Sequence, residues 1–238
     1  MQIARRMERL GTETAFEVLA EVNRLKAEGQ DIISFALGEP DFDTPQNIKD
    51  AAVKAISNGY THYSPSAGIL PLRKSIAHYI SRTRGIEVEP DEVVVTPGAK
   101  AIIFDSILSC INEDNEVIYP NPGYPIYESV INFIGGKPVS LPLLEERSFS
   151  FDPEELRVRI TPQTKMIIIN SPHNPTGGIL SQNDLETIAE IAIEADLWVL
   201  SDEIYSEIIY DGDFRSIISL PGMKERTILV DGFSKTYA

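Results

Sequence analysis

Three things are scarce in this chain of 238 residues, and each scarcity removes a class of function. Cysteine occurs once, at Cys110, so no intramolecular disulfide can form, and the apolar setting SILSCIN reads as a packed thiol rather than a reactive one. Positive charge is short: 21 Lys and Arg stand against 36 Asp and Glu, a formal net charge of -15. Such a field repels phosphate backbones and anionic lipid heads, which argues against general nucleic-acid or membrane-surface binding. Long apolar runs are missing too. The N-terminal MQIARRMERLG is basic but leads into no apolar segment, and no run approaches membrane-spanning length. The expectation is a soluble protein of the reducing cytoplasm. With 42% hydrophobic residues the chain can bury a sizeable core, at the upper edge of one domain or the lower edge of two.

What is present is alternation. Apolar residues at helical spacing run from Thr12 to Glu28, with Gly29 as the stop. DIISF then reads as a short strand, followed by a Gly- and Pro-bearing loop and a helix over Pro45 to Asn58. A domain boundary is expected near Asp43, separating an N-terminal arm and helix (1–43) from a larger unit (44–238). Beyond it, helices are predicted over Leu70–Arg82, Ala99–Cys110, Tyr124–Ile134, Asp152–Arg159 and Ser181–Ala195. Strands are predicted at EVVVT, EVIYP, KPVSLPL, MIIIN, LWVLSD and TILVDG. Helices alternating with β-branched runs that lack polar residues at every second place imply a largely parallel sheet covered on both faces, an α/β/α arrangement in three layers.

Open α/β sheets hold their ligands at the carboxyl ends of the strands. The residues following five of the predicted strands are TPGAK (96–100), NPGY (121–124), NSPHNPTG (170–177), SDEIY (201–205) and GFSK (232–235). One polar, glycine-bearing strand end means little; five on one rim suggest a site.

Each of these has an ordinary reading and a chemical one. TPGAK places Gly98, Ala99 and Lys100 at a helix N-terminus, where unpaired N–H groups and the helix dipole receive a phosphate; it is equally a simple strand-to-helix turn. It matches neither GxxxxGK[ST] nor GxGxxG, so neither nucleotide fingerprint is supported. Tyr124 offers a flat face for stacking, or packs. Asp202 ends a strand expected to be central, where a carboxylate is costly without a cation or a good donor; a protonated heterocyclic nitrogen would serve. Tyr205 can bring a hydroxyl to the same place. Asn174, before a proline, can donate its amide to a ligand oxygen or simply form an Asn-Pro turn. Lys235, just past a strand, is placed where burial and nearby positive charge would favour a neutral amine able to form an imine. His62, His78 and His173 carry no chemistry in this reading.

A phosphate cradle, a ring platform, a carboxylate for a pyridinium, donors for a ring hydroxyl and an imine-forming lysine are the parts pyridoxal 5'-phosphate requires. In the order LGEPDFDTP, THYSPSAGILPLR, TPGAK, NPGYPIY, NSPHNPTGG, SDEIY and GFSKTYA, the sequence resembles the class I/II aminotransferases of pyridoxal-phosphate fold type I, especially the aspartate and aromatic branch. The resemblance implies that Lys235 forms the internal aldimine and shuttles the proton, that Asp202 holds the pyridine nitrogen protonated, and that Asn174 and Tyr205 bond the ring oxygen. It implies stacking by Tyr124 and phosphate binding by Gly98, Ala99, Lys100 and Ser234. Tyr63 would reach the phosphate of the other subunit, hence a homodimer, and Gly38 with Asn174 would lie against the substrate. The 1–43 segment would belong to the family's small domain and 44–238 to its cofactor-binding large domain.

The family pattern continues beyond the lysine to one arginine for the phosphate and another for the substrate carboxylate. Neither position falls within this sequence, so the resemblance implies either part of a longer enzyme or a naturally short product, the former being favoured because a missing domain would leave apolar surface uncovered. The activity implied is transfer of an amino group from an L-amino acid to a 2-oxo acid by a ping-pong route. The alternatives are another reaction of the same fold, a β-lyase or a ring-closing γ-elimination of the aminocyclopropane-carboxylate-synthase kind, or a catalytically impaired module that binds the cofactor.

Overall fold

A computed structural model describes residues 2–11 and 14–238. Its centre is a six-stranded sheet in the order β3-β2-β1-β4-β5-β6, with β1 Glu116–Asn121, β2 Lys137–Leu144, β3 Ser150–Phe151, β4 Thr164–Asn170, β5 Trp198–Asp202 and β6 Thr227–Val230. The pairs β1/β2, β1/β4, β4/β5 and β5/β6 are parallel; β3, a two-residue strand invisible to periodicity, pairs antiparallel to β2. The helices are α1 Thr14–Ala27, α2 Gln46–Ser57, α3 Leu70–Arg84, α4 Ala99–Cys110, α5 Ile126–Ile134, α6 Pro153–Val158, α7 Gln182–Glu194 and the single turn α8 Phe233–Thr236.

The strands lack polar alternation because both faces are covered. Met166 and Ile168 of β4, with Val117, Leu200 and Val230, pack under Ile103 and Ile107 of α4 and Tyr127, Val130 and Ile131 of α5. Ile167 and Ile169, one residue out of phase, pack with Ile118, Leu141 and Val199 against Leu156 of α6 and Leu185, Ile188 and Ala192 of α7. The helix ends follow local chemistry. Ser181 and Asp184 exchange side-chain and backbone hydrogen bonds as a capping box on α7. Gly85 and Gly135, both at positive φ, close α3 and α5.

Two predicted strands are not strands. EVVVT runs from a 3-10 turn into an irregular segment: Val95 N–H donates to Ala67 O at 3.1 Å, and Val94 is 63% exposed. DIISF is likewise irregular, with Ile33 and Phe35 exposed. Apolar, β-branched composition makes a strand only where a second backbone completes the ladder, and among the described residues neither segment has one. The predicted N-terminal start of α1 at Thr12 lies outside the described residues.

The parallel pairing sets four predicted strand ends on one edge. Asn170 stands in register with Asp202, and Asp202 with Val230. Because EVVVT is not in the sheet, the TPGAK turn comes to this region as the N-terminus of α4, which packs against β5 and β6, and not as a strand end.

Candidate active site

Asp202 is the centre of the rim. It closes β5 and is 3% exposed, yet among the described residues no lysine or arginine pairs with its side chain. Tyr127, fully buried on α5, donates its hydroxyl to Oδ2 at 2.7 Å, and Ile204 N–H donates to Oδ1 at 3.3 Å. Burial raises the Asp202 carboxyl above its ordinary value, the Tyr127 hydrogen bond opposes this, and the charge of Asp231 adds to the rise. The Tyr127 phenol is itself raised well above its usual range by burial and by Asp202.

The neighbours of Asp202 are tied to it and to each other. Tyr124 meets Tyr127 edge-on at 5.8 Å between ring centroids. The close fold of the NPGY turn depends on Gly123, where a Cβ would fall 2.2 Å from Pro120 O. Asn170 amide donates to the Asp202 carbonyl at 2.9 Å and to Pro172 O at 3.2 Å, and its oxygen accepts from Asn174 N–H at 2.8 Å. One buried amide thus locks the β4 exit to the β5 exit and orients the HNPTG loop. The Asn174 side chain lies close enough to the Tyr205 phenol to lower its pKa, against the larger raising effect of burial and of the Asp202 charge.

Lys235, in α8, closes the circle. Its Nζ lies 5.9 Å from the centroid of the Tyr205 ring and donates to Gly38 O at 2.7 Å, bridging 197 residues of sequence. Asn174, Tyr205, His173, Ile179, Tyr210 and Asp211 line a cleft of about 410 Å³. His173 is buried, bonds Thr176 Oγ1 through Nδ1 at 2.8 Å and leaves Nε2 without a partner among the described residues; burial pushes its pKa down to about 4. A neutral, inward imidazole is a fixed part of the wall and not a proton donor near neutrality.

Six of the expected residues are therefore linked by short contacts: Lys235 to Gly38 and to Tyr205, Tyr205 to Asn174 and to Asp202 through their electrostatic influence, and Asp202 by way of Tyr127 to Tyr124; Ser234 precedes Lys235 in α8, and of these residues Asn174 and Tyr205 line the cleft. Gly98, with φ 90°, caps α4 and leaves Ala99 and Lys100 in its first turn, where the helix's first N–H groups have no intrahelical acceptor. Tyr63 stands apart, fully exposed. Sequence reasoning missed Tyr127 and Asn170. Tyr127 lies three residues after Tyr124, one turn on; Asn170 is the last residue of its strand and in register with Asp202.

The pattern of the family "Aminotransferase class I and II" matches residues 30–238, and the chain belongs to that family. It is 45% identical to aromatic-amino-acid aminotransferase 2 of Thermococcus litoralis, over 87% of this chain and 54% of that protein. It is 40% identical to an aspartate aminotransferase of Bacillus subtilis, over 100% of this chain and 61% of that protein. Among solved structures, Thermus thermophilus aspartate aminotransferase with maleate superposes with a TM-score of 0.96 at 36% identity, covering 100% of this chain and 62% of that one. The three-layer fold is that of the fold type I aminotransferases. The chain spans a little over half to about three-fifths of the length of these relatives.

Class I and II aminotransferases, aspartate aminotransferase among them, use pyridoxal phosphate. The residues here fit that group on their own terms. A buried carboxylate that meets a phenol and an amide but no cation is an acceptor suited to a protonated ring nitrogen, and burial without a counter-charge is stable mainly where a ligand completes it.

Proposed function

We propose that this chain carries the pyridoxal-phosphate site of an aminotransferase that moves an amino group from an L-amino acid to a 2-oxo acid in two half-reactions. The observation that carries the reading is Asp202: a buried, uncompensated carboxylate at a parallel strand end, facing a tyrosine platform, with Lys235 across the mouth. Bound there, pyridoxal phosphate supplies an electron sink for the bond broken at the substrate's α-carbon.

The chain's own residues do the rest. Lys235 would be the covalent anchor of that group, and its amine would take and return a proton at the substrate's α-carbon. Asp202, oriented by Tyr127, holds a proton on the ring nitrogen. Asn174 and Tyr205 donate to the ring oxygen, and Tyr124 stacks. The N–H groups at Gly98, Ala99 and Lys100, with the Ser234 hydroxyl, receive the phosphate. Gly38, already in contact with the lysine, lies at the substrate side with Asn174.

The same reading makes 1–43 an arm of a second, smaller domain beside 44–238, and the working species a homodimer of the cytoplasm. Supporting the dimer, Tyr63 is fully exposed, and Ile33, Phe35 and Tyr60 also expose apolar surface that a second copy would cover. No helix among the described residues is long and apolar enough to cross a membrane.

The test is the visible absorbance of the purified chain with pyridoxal phosphate, before and after borohydride, with peptide mapping. An adduct trapped on Lys235 is expected. A folded chain that traps none, or traps it on another lysine, overturns the assignment.

A further inference from the structure

Two exits from the sheet, one bearing Asp202 and the other leading to Lys235, are joined by a buried side chain outside the site described so far. Arg84, in the last turn of α3, has a side chain only 2% exposed. Its Nε donates to Glu203 Oε2 at 2.8 Å, and its Nη2 donates to Asp231 Oδ2 at 3.1 Å and to Ser206 Oγ at 3.0 Å. The ring of Phe214 covers the guanidinium at 4.8 Å.

Each partner holds a strand exit. Glu203 directly follows Asp202; its other oxygen accepts from Ser201 at 3.0 Å and from Ser216, and its N–H donates to Val230 O at 2.8 Å, carrying the β5/β6 ladder one step beyond the strands. Asp231 directly follows β6; its other oxygen accepts from Gly232 N–H at 2.7 Å. Gly232 then runs fully extended into α8, so close to Ile204 that a Cβ there would lie 3.1 Å from its Cδ1. The guanidinium is therefore a rigid strut between the residue after Asp202 and the residue four before Lys235. Arginine suits this place, since its planar fork meets two carboxylates in fixed directions where an ammonium offers one compact charge.

We propose that Arg84 is a positioning residue that, by bridging Glu203 and Asp231, sets the spacing between Asp202 and Lys235 across the mouth of the site. The inference rests on the reading of those two residues as cofactor contacts. A role in stability alone predicts something different: loss of Arg84 would loosen the whole sheet alike.

Peptide-resolved hydrogen exchange on the full chain without cofactor separates the two, together with the apparent dissociation constant for pyridoxal phosphate. In Arg84→Met, exchange is expected to quicken about 10-fold or more over 201–206 and 230–236 while β4 stays within about 2-fold. Cofactor binding weakens by a similar factor, and Arg84→Lys recovers only part of both. Leu156→Ala, a cavity under α6 at a site that touches neither exit, serves as a control expected to loosen β4 and leave the cofactor constant unmoved. Uniform loosening in Arg84→Met, or an unchanged cofactor constant, overturns the proposal. If Arg84→Met does not fold, Asp231→Asn carries the same local expectation for 230–236, and unchanged exchange there is equally decisive. A wild-type chain that binds no pyridoxal phosphate refutes the cofactor reading instead, and the exchange pattern still decides whether Arg84 braces the two exits.

Discussion

Asp202 and Glu203 are adjacent carboxylates, both nearly inaccessible to solvent, and they are treated in opposite ways. Glu203 meets a guanidinium and two serine hydroxyls. Asp202 meets a phenol and a backbone amide, with no cation among the described residues. Side chains alternate across a strand, so one step along β5 turns the first toward the mouth and the second toward α3. The lesson is that burial of a charge does not by itself mark function. A charge whose partners are all supplied by the protein is architecture, whereas one left short of a counter-charge is a place for a ligand.

If that contrast is right, substitutions on the two sides differ in kind. The largest effect belongs to Lys235→Ala, which is expected to lower turnover by at least about 10⁴-fold while the melting temperature stays put, since the amine supplies chemistry and not core. Normal activity in that variant, measured with any accepted amino donor, removes the lysine from the site. Next is Glu203→Ala. It leaves Arg84 buried with Asp231 as its one remaining carboxylate, beside the Ser206 hydroxyl, and is expected to cost about 3 kcal/mol, read by denaturant titration. A variant as stable as the parent breaks the contrast from the architectural side.

Asp202→Ala is expected to act the other way: relief of the buried carboxylate offsets the acceptor lost to Tyr127, so stability is nearly held while turnover falls about 10²-fold together with weaker cofactor retention. Kinetics identical to the parent would remove the pyridinium role. Tyr127→Phe is milder: one buried oxygen of Asp202 loses its donor, at a cost of about 1–3 kcal/mol. The loss should appear in the pH dependence of the bound cofactor's absorbance as well as in melting, and a pure loss of stability would reduce Tyr127 to packing.

The smallest effect is in pH. Burial pushes Glu203 up to about 7 from 4.5, against the pull of Arg84. The folded state then holds this proton more tightly than the unfolded chain, so the contribution is complete below about pH 4.5 and is lost as pH rises through about 7. Asp202 and Asp231, also raised by burial, act in the same direction. Melting temperature of the ligand-free chain should fall across that window, and Glu203→Gln should reduce the slope; an unaltered slope assigns the titration to the aspartates alone.

Much of this was legible in the residues themselves. The helices over 70–84, 99–110 and 182–194 and the strands at 116, 137, 164, 198 and 227 follow from periodicity and β-branching, which report on burial. EVVVT and DIISF carry the same composition and are not strands, because pairing is a property of two segments and composition describes one. The residues at four strand ends converge as the parallel-sheet rule requires. Tyr127, Asn170 and Arg84 were not legible. A tyrosine in an apolar helix, an asparagine at a strand end and an arginine near a helix C-terminus are ordinary residues until their partners, 32 to 147 positions away, are known.

The sequence by itself therefore determined the layered α/β architecture, the family and the types of group gathered at the rim, since each is written in local pattern and motif order. Only the tertiary structure decided which of two neighbouring acids is paired with arginine, which phenol reaches Asp202, and that Lys235 meets the carbonyl of Gly38. Those outcomes depend on register, on the direction a strand turns each side chain, and on contacts between segments distant along the chain, none of which a single stretch of residues encodes.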